Sequence, residues 1–321
     1  MEAFILAAGY IIGTSFMYAT PLIFTANGAV ITENSGVVNI GLEGMMTIGA
    51  FAGAAAGVLT GDPWLSFLIA GLSGAFFGLL HAIACIKYNA DQVVSGIAMN
   101  FLAPGVAFFL SRRMFHGATM TPTVDNKMPK PFNEFFSGLV QANPDSLWAR
   151  FADSVFNQNV TVYLSILLVF ATWYVMTQTR LGLRIRAVGE HPKAADTVGV
   201  NIYRVRYLCV ILSGFFAGLG GAAMSIAIVA GFRPGLISGH GFIAMAAMIF
   251  GKWKPRLTMA ACLLFGATHG LKFYLGSIGV QINGDLLSTM PYVITLLVLV
   301  LFVGKAVAPA ASGKPYEMDA R

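Results

Sequence analysis

The stretch LGLRIRAVGEHPKAADTVGVNIYRVR, at residues 181–206, decides how this chain is organised. It is polar and basic, and it lies between two segments, 154–179 and 207–232, that contain no charged residue. Each of these two segments is long enough to cross a bilayer as a helix. We therefore expect residues 180–206, here called the basic island, to be a connection on the cytoplasmic side of a membrane protein.

The composition of the whole chain also indicates an integral membrane protein. Hydrophobic residues make up 57% of it, charged residues 11%, and the mean hydropathy is +0.73, whereas soluble domains carry roughly 25% charged residues. Membrane strands would alternate apolar and polar residues, and the sequence shows no such alternation. We predict an all-α integral membrane protein, a compact bundle of about nine membrane segments, some broken or short. The uncharged windows are 3–32, 44–61, 63–86, 92–111, 154–179, 207–232, 234–251, 257–271 and 286–304.

The charges predict how the chain is oriented and divided. If the segments alternate in direction, most Lys and Arg residues fall on one side, which places the C-terminus in the cytoplasm and the N-terminus outside. The net charge of +6 then orients the chain in the membrane and indicates no nucleic-acid partner. We expect one transmembrane domain, residues 1–307, with an extracytoplasmic loop at 112–153. Residues 308–321 are expected to be a disordered cytoplasmic tail.

The basic island contains a short helix with recognisable ends. Pro192 suits the first position of a helix, where a missing N–H costs nothing, and Gly199 can end the helix in a left-handed conformation. A helix of about two turns does not persist alone in water, so we expect it to dock against another surface. Its apolar residues, flanked by Arg186, Glu190 and Arg204, suit a groove on a protein. The alternative is an ordinary connecting loop.

Two further places interrupt the pattern of simple membrane helices. Residues 33–44 are polar and glycine-rich, yet too apolar for an ordinary loop, and residues 231–251 combine Gly and Pro with a short apolar run. Unwound backbone at membrane depth is tolerated only inside protein or beside a cavity, and transporters place their binding sites at such breaks. Both places are therefore candidates for a solute pathway.

Five polar residues are candidates for lining that pathway. A carboxylate inside a membrane is costly, which makes Glu43 a functional candidate; it could cap a broken helix or pair with a cation. Asn39 could form a hydrogen bond with a polar solute. Gln92 and Ser95 share one helical face, with Asn100 near it. This polar stripe could line a pathway, and hydrogen bonds between helices explain it as well.

Several kinds of site are not indicated by the sequence. It contains no Gly-x-x-x-x-Gly-Lys-Ser/Thr phosphate loop, no Gly-x-Ser-x-Gly elbow and no His-Glu-x-x-His helix,. Cys85, Cys209 and Cys262 lie in apolar runs and are expected to be packing thiols. His81, His240 and His269 are isolated and are also expected to pack. We therefore expect neither an enzyme nor a metal or cofactor bound by this chain itself.

Four stretches together resemble one family. They are ENSGVVNIGLEGMM at 33–46, DQVVSGIAMNFLA at 91–103, residues 186–206 of the basic island, and GFIAMAAMIFGKWKP at 241–255. In this order they are similar to the permease subunits of bacterial ABC importers for nucleosides. Those permeases belong to the wider superfamily of sugar and branched-chain amino acid permeases.

The resemblance implies a set of partners in the bacterial cytoplasmic (inner) membrane. These are a second related permease, a cytoplasmic ABC ATPase that uses ATP and Mg²⁺, and an extracytoplasmic solute-binding protein or lipoprotein. The basic island would be the coupling loop, moved when the ATPase closes on ATP. The residues implied at the ATPase are Arg186, Glu190, His191, Pro192, Ala195, Asp196, Gly199 and Arg204.

The resemblance also suggests the substrate and the transport cycle. The chain would move nucleosides by alternating access through a polar cavity, with Phe101 and Phe232 stacking on the base. A ribose-like sugar is the nearest alternative substrate, and a stand-alone secondary transporter or channel is a further alternative. The residues expected along the pathway are Asn39, Glu43, Gln92, Ser95, Asn100, Phe101 and Phe232.

Overall fold

The structure, a computed structural model, describes residues 2–279, 289, 293 and 307–316. Every regular element within these residues is helical, as the sequence predicts. The helices are α1 (Glu2–Glu33), α2 (Leu42–Thr60), α3 (Pro63–Ala82), α4 (Gln92–Met114), α5 (Asn133–Ala142), α6 (Leu147–Phe156), α7 (Val160–Gln178), α8 (Arg180–Glu190), α9 (Pro192–Thr197), α10 (Ile202–Ala222), α11 (His240–Phe250) and α12 (Pro255–Ser277). Single π-helical turns, Ile83–Lys87 and Ala223–Ile228, continue α3 and α10.

The long apolar helices confirm an integral membrane bundle. Within the described residues, 6 helices are long and apolar enough to cross a membrane: α1, α2, α3, α4, α7 and α10. Each predicted window from 3–32 to 257–271 overlaps one of these helices, α11 or α12. The last window, 286–304, lies outside the described residues except for residues 289 and 293.

Helix α10 lies at the centre of the bundle, where it contacts α1, α2 and α3. Glycines allow this close approach. A Cβ added at Gly218 would overlap the carbonyl oxygen of Ala70, and one at Gly214 would overlap that of Gly74. Small residues four apart let helix backbones meet in lipid, and here that spacing on α3 and α10 builds the core between the two helices.

The bundle has two distinct ends. The basic end carries α8, α9 and the turn at residues 251–254, and the loop end carries residues 115–159. The loop end is partly ordered, because it contains α5 and α6 and because residues 121–128 pair with the chain after α10. Those backbone bonds join Thr121 to Phe232 (3.0 Å) and Val124 to Ala230 (3.0 Å).

The tail differs from the prediction of disorder over the part that the structure describes. Residues 309–316 pack against the basic island: the Ala311 N–H donates to the Gly189 carbonyl at 2.8 Å. Tyr316 is 7% exposed and its ring packs against Tyr203, 6.0 Å between centroids. The tail reads as polar and loop-like in sequence. Its order depends on backbone bonds and on side chains of the distant basic island, which composition does not reveal.

Candidate functional site

The second interrupted segment is a broken helix. After the π-turn that ends α10, residues 229–239 run without regular structure, and Gly239 adopts a left-handed conformation (φ 90°) immediately before α11. Helix α11 has 11 residues and therefore spans about 16 Å, roughly half of a hydrocarbon core. Its C-terminal end reaches the basic end, so its N-terminus lies within the bundle.

Glu43 caps this buried N-terminus. Its Oε1 accepts a hydrogen bond from the Gly239 N–H at 2.6 Å, and its Oε2 accepts one from the Gly241 N–H at 2.7 Å. A helix N-terminus carries partial positive charge, and hydrogen bonds to a carboxylate are stronger than neutral ones. Of the two roles that the sequence allowed for Glu43, capping a broken helix is the one the structure shows.

The opposite end of α11 is bound to the same part of the chain. The Trp253 indole N–H donates to Glu33 Oε2 at 2.8 Å, and the Asn34 side-chain amide donates to the Trp253 carbonyl at 3.2 Å. Lys252 and Trp253 both have positive φ (52° and 56°), a conformation that costs energy in residues other than glycine. Residues 33–43 thus hold α11 at both of its ends.

The first interrupted segment, residues 34–41, is supported by the polar stripe of α4. Gln92 Oε1 accepts from the Val38 N–H at 2.7 Å. The Asn100 side-chain amide donates to the Ile40 carbonyl at 3.0 Å, and its oxygen accepts from the Gly44 N–H at 2.8 Å. Backbone groups that have left a helix inside an apolar bundle need such partners.

Two further side chains complete this support. The Asn39 side-chain amide donates to Ser213 Oγ at 3.1 Å. His81 Nε2 lies 3.1 Å from the Val38 carbonyl and its Nδ1 lies 2.9 Å from Ser95 Oγ. His81 and Ser213 were not among the predicted site residues, since nothing near them in sequence signals a distant unwound loop.

The predicted pathway residues therefore fall into two groups. The polar candidates Asn39, Gln92, Ser95 and Asn100 form one hydrogen-bonded network with the 34–41 segment, and Glu43 continues it to α11. The two phenylalanines are separate from that network: Phe101 is 78% exposed on α4, whereas Phe232 is 4% exposed and packs edge-to-face on Phe51. The polar stripe of α4 thus contacts the unwound 34–41 segment through Gln92 and Asn100 and helix α3 through Ser95.

A column of stacked rings lies beside the start of α11. It consists of His240, His269, Tyr18 and Phe273, with centroid separations of 5.7, 5.3 and 4.9 Å along the series. The Nε2 atom of His240 is buried and has no hydrogen-bond partner among the described residues. The sequence predicted only a packing role for these histidines, because the four rings come from three different helices.

The basic island holds two helices where the sequence predicted one. Helix α8 precedes α9, and α9 begins at Pro192 as predicted, with Gly199 in a left-handed conformation (φ 83°) just after it. His191 lies exposed between the two helices, Asp196 is half-buried and Ala195 is buried. Ala195 thus attaches α9 to the bundle.

The charged residues predicted around that helix are open to solvent. Arg186, Glu190 and Arg204 are all exposed. The Glu190 carboxylate also accepts the Ala310 N–H at 3.3 Å, which links α8 to the tail. These side chains leave the outer surface of the island polar and available for a partner.

The basic island directly contacts the first interrupted segment. Gly189, on α8, lies so close to Asn34 that a Cβ added there would overlap the Asn34 carbonyl oxygen. A movement of α8 toward this segment would therefore press on Asn34. Because residues 33–43 hold α11 at both ends, the contact connects the outer surface of the island with the broken helix.

Comparison with known proteins gives consistent matches over nearly the whole chain. The family model described as "Branched-chain amino acid transport system / permease component" matches residues 11–303. The guanosine ABC transporter permease protein NupQ of Bacillus subtilis is 43% identical over 316 residues, 95% of this chain and 96% of the relative. The nucleoside ABC transporter permease protein NupC of Lactococcus lactis is 41% identical, with 95% and 96% coverage. The putative glucose ABC transporter permease protein TsgC13 of Haloferax volcanii is 32% identical, with 91% and 91% coverage.

The cap on α11 makes a testable prediction. In Glu43→Gln, both N–H groups lose their charged acceptor, since one then faces a neutral carbonyl oxygen and the other an NH2 group. Hydrogen bonds to charged groups contribute about 1.5–3 kcal/mol each. We expect amide hydrogen exchange at residues 241–244 to accelerate at least about tenfold, measured by mass spectrometry on the purified chain. The matched control is Glu33→Gln, which should accelerate exchange near Trp253 instead. Equal exchange at 241–244 in both variants would contradict the cap.

Proposed function

Since this chain belongs to the branched-chain amino acid transport permease family, we propose that it is the membrane-spanning permease subunit of an ATP-driven nucleoside importer. The observation that carries this proposal is the pair of relatives, 43% and 41% identical over almost their full length, whose names specify guanosine and nucleosides. The broken helix α11 fits the proposal, because transporters build solute sites at discontinuous helices.

We infer that the bundle lies in the bacterial cytoplasmic membrane with its basic end in the cytoplasm. The positive-inside rule supports this orientation, since the basic end carries the island and the cations of residues 252–256. The long helix α1 then begins outside the cell, and residues 307–316 lie in the cytoplasm. The loop end, with α5 and α6, faces outward.

The proposed partners follow from this orientation. A cytoplasmic ABC ATPase would bind ATP and Mg²⁺, since the chain has no phosphate loop of its own,. An extracytoplasmic solute-binding protein or lipoprotein would dock at the loop end, and a second related permease would complete the membrane part. The ATPase would bind the exposed side of α8 and α9. The residues proposed for that contact are Arg186, Glu190, His191, Pro192, Asp196, Gly199 and Arg204, with Ala195 holding α9 in place.

We propose that force passes from the ATPase to the solute site through residues 33–43. Movement of α8 is transmitted by the close contact of Gly189 with Asn34. The 34–41 segment then moves Glu43, and Glu43 moves the N-terminus of α11 through two charge-assisted hydrogen bonds. A half-helix held at both ends tilts as one body, which is the kind of motion that alternating access requires.

The ring column is the proposed contact for the nucleobase. Planar rings stack on aromatic side chains whatever the base, each stack contributing about 1–3 kcal/mol. Tyr18 and His269 are half-buried and Phe273 is exposed, so the column has an accessible edge. The buried Nε2 of His240 offers a hydrogen-bonding atom beside it. A sugar without a base has no planar ring that can stack on this column.

A simple sugar is the second candidate substrate, because one relative, 32% identical, is named as a putative glucose permease. Uptake of radiolabelled guanosine or uridine by cells expressing the complete transporter separates the two. We expect unlabelled nucleosides to compete and a hundredfold excess of ribose to leave at least about 90% of uptake intact, since ribose lacks the stacking base. Strong competition by ribose would refute the nucleoside proposal.

The ring column generates a second prediction. In His269→Ala, loss of one stacked ring should raise the half-saturating nucleoside concentration about tenfold, equivalent to about 1.4 kcal/mol. Phe109→Ala is the control, because Phe109 is a similarly large ring, 66% exposed on α4. The same uptake assay measures both. An unchanged half-saturating concentration in His269→Ala would show that the column does not contact the solute.

The route of force generates a third prediction. Gly189→Ala places a methyl group against the Asn34 carbonyl, and overpacking of this kind costs about 1–3 kcal/mol. We expect nucleoside transport per ATP hydrolysed to fall about tenfold in proteoliposomes. Gly276→Ala is the matched control, since a Cβ at Gly276 meets nothing within 4 Å. Equal transport per ATP in the two variants would show that force does not pass through this contact.

A further inference from the structure

A cavity of about 550 Å³ opens at the basic end, between α7, α8 and the start of α12. Its rim carries cations from three separate places in the chain: Arg186 from α8, Lys252 and Lys254 from the turn at 251–254, and Arg256 from α12. Among the described residues, Glu190 is the single acidic one that lines it. The cavity therefore has a clear excess of positive charge.

The positive charge has no anionic partner among the described residues. Within residues 2–279 and 307–316, none of the four cationic side chains forms a hydrogen bond or an ion pair. The Glu190 carboxylate already accepts the Ala310 N–H. Cations gathered at one cavity repel one another unless an anion binds among them, so the arrangement favours a negatively charged ligand.

One wall of the same cavity is apolar. Trp173, Met176 and Leu257 line it, and Leu257 is 50% exposed. The Arg256 guanidinium stacks on the Trp173 ring, 3.5 Å from its centroid, which holds one cation at the junction of the apolar and charged walls. A ligand that fits both walls has an anionic group joined to a hydrocarbon part.

We propose that this cavity binds the phosphate headgroup of an anionic phospholipid from the inner leaflet. Its position agrees with this, because α7 ends at Gln178 and α12 begins at Pro255, the level at which the bundle leaves the hydrocarbon core. Tryptophan rings gather at that level, and basic pockets between membrane helices on the cytoplasmic side suit anionic headgroups. The inference rests on the proposed orientation, with the basic end in the cytoplasm, and does not rest on the identity of the solute.

A bound lipid would join two parts of the proposed force route. Arg186 belongs to the basic island, whereas Lys252 and Lys254 flank Trp253, the residue that fastens α11 to Glu33. A phosphate held between them ties the movement of the island to the end of the broken helix. Anionic lipid would then strengthen coupling between the two.

The test is native mass spectrometry of the full-length chain, with the subunits that accompany it in purification, exchanged into mixed micelles of phosphatidylglycerol and phosphatidylcholine. We expect retained phosphatidylglycerol to exceed phosphatidylcholine, with each removed cation lowering that preference about fivefold. The variants are Lys254→Gln alone and Lys254→Gln with Arg256→Gln. Arg184→Gln is the matched control, because Arg184 is an exposed cation on α8 that does not line the cavity.

Each outcome decides the proposal. A preference that falls in both variants and persists in Arg184→Gln supports it, and the single variant retains the Arg256 stack should the double variant misfold. Equal retention of the two lipids overturns it, as does an equal loss in Arg184→Gln, which would indicate a diffuse basic surface. Displacement of the lipid by millimolar inorganic phosphate would assign the site to a soluble anion and overturn the lipid assignment.

Discussion

The structure depends on the need to pair every backbone N–H and C=O group that leaves a helix inside an apolar bundle. Two segments leave their helices, 34–41 and 229–239, and both are supported by side chains from distant parts of the chain. Glu43 satisfies the start of α11, while Gln92 and Asn100 satisfy the segment before α2. The buried polar side chains Asn39, His81 and Gln92 take part in this support.

The features that the sequence predicts are those that depend on local properties of the chain. Uncharged windows of sufficient length specify the membrane helices, because length and hydropathy alone decide whether a helix can cross lipid. Pro192 and Gly199 mark the ends of α9 because their backbone preferences are local. The Gly and Pro content of 231–251 likewise reveals that a helix is broken there.

Contacts between residues on different helices of the bundle could not be predicted from the sequence. The sequence places Gln92, Ser95 and Asn100 on one face of α4, but it does not say that the face meets an unwound backbone. The column of His240, His269 and Tyr18 arises only when three helices pack together. The order of residues 309–316 depends on Tyr203 and Gly189, more than a hundred residues earlier. In each case the determining fact is a tertiary contact, which no local pattern encodes.

The contact between residues 309–316 and the basic island has a consequence for how the protein folds during synthesis. Ala310 and Glu190 are 120 residues apart, and α10, α11 and α12 lie between them. During synthesis α8 and α9 therefore emerge from the ribosome long before the tail residues that pack against them. The surface formed by α8, α9 and the tail acquires its final shape only after the later helices have been inserted, so a partly synthesised chain presents that surface incomplete.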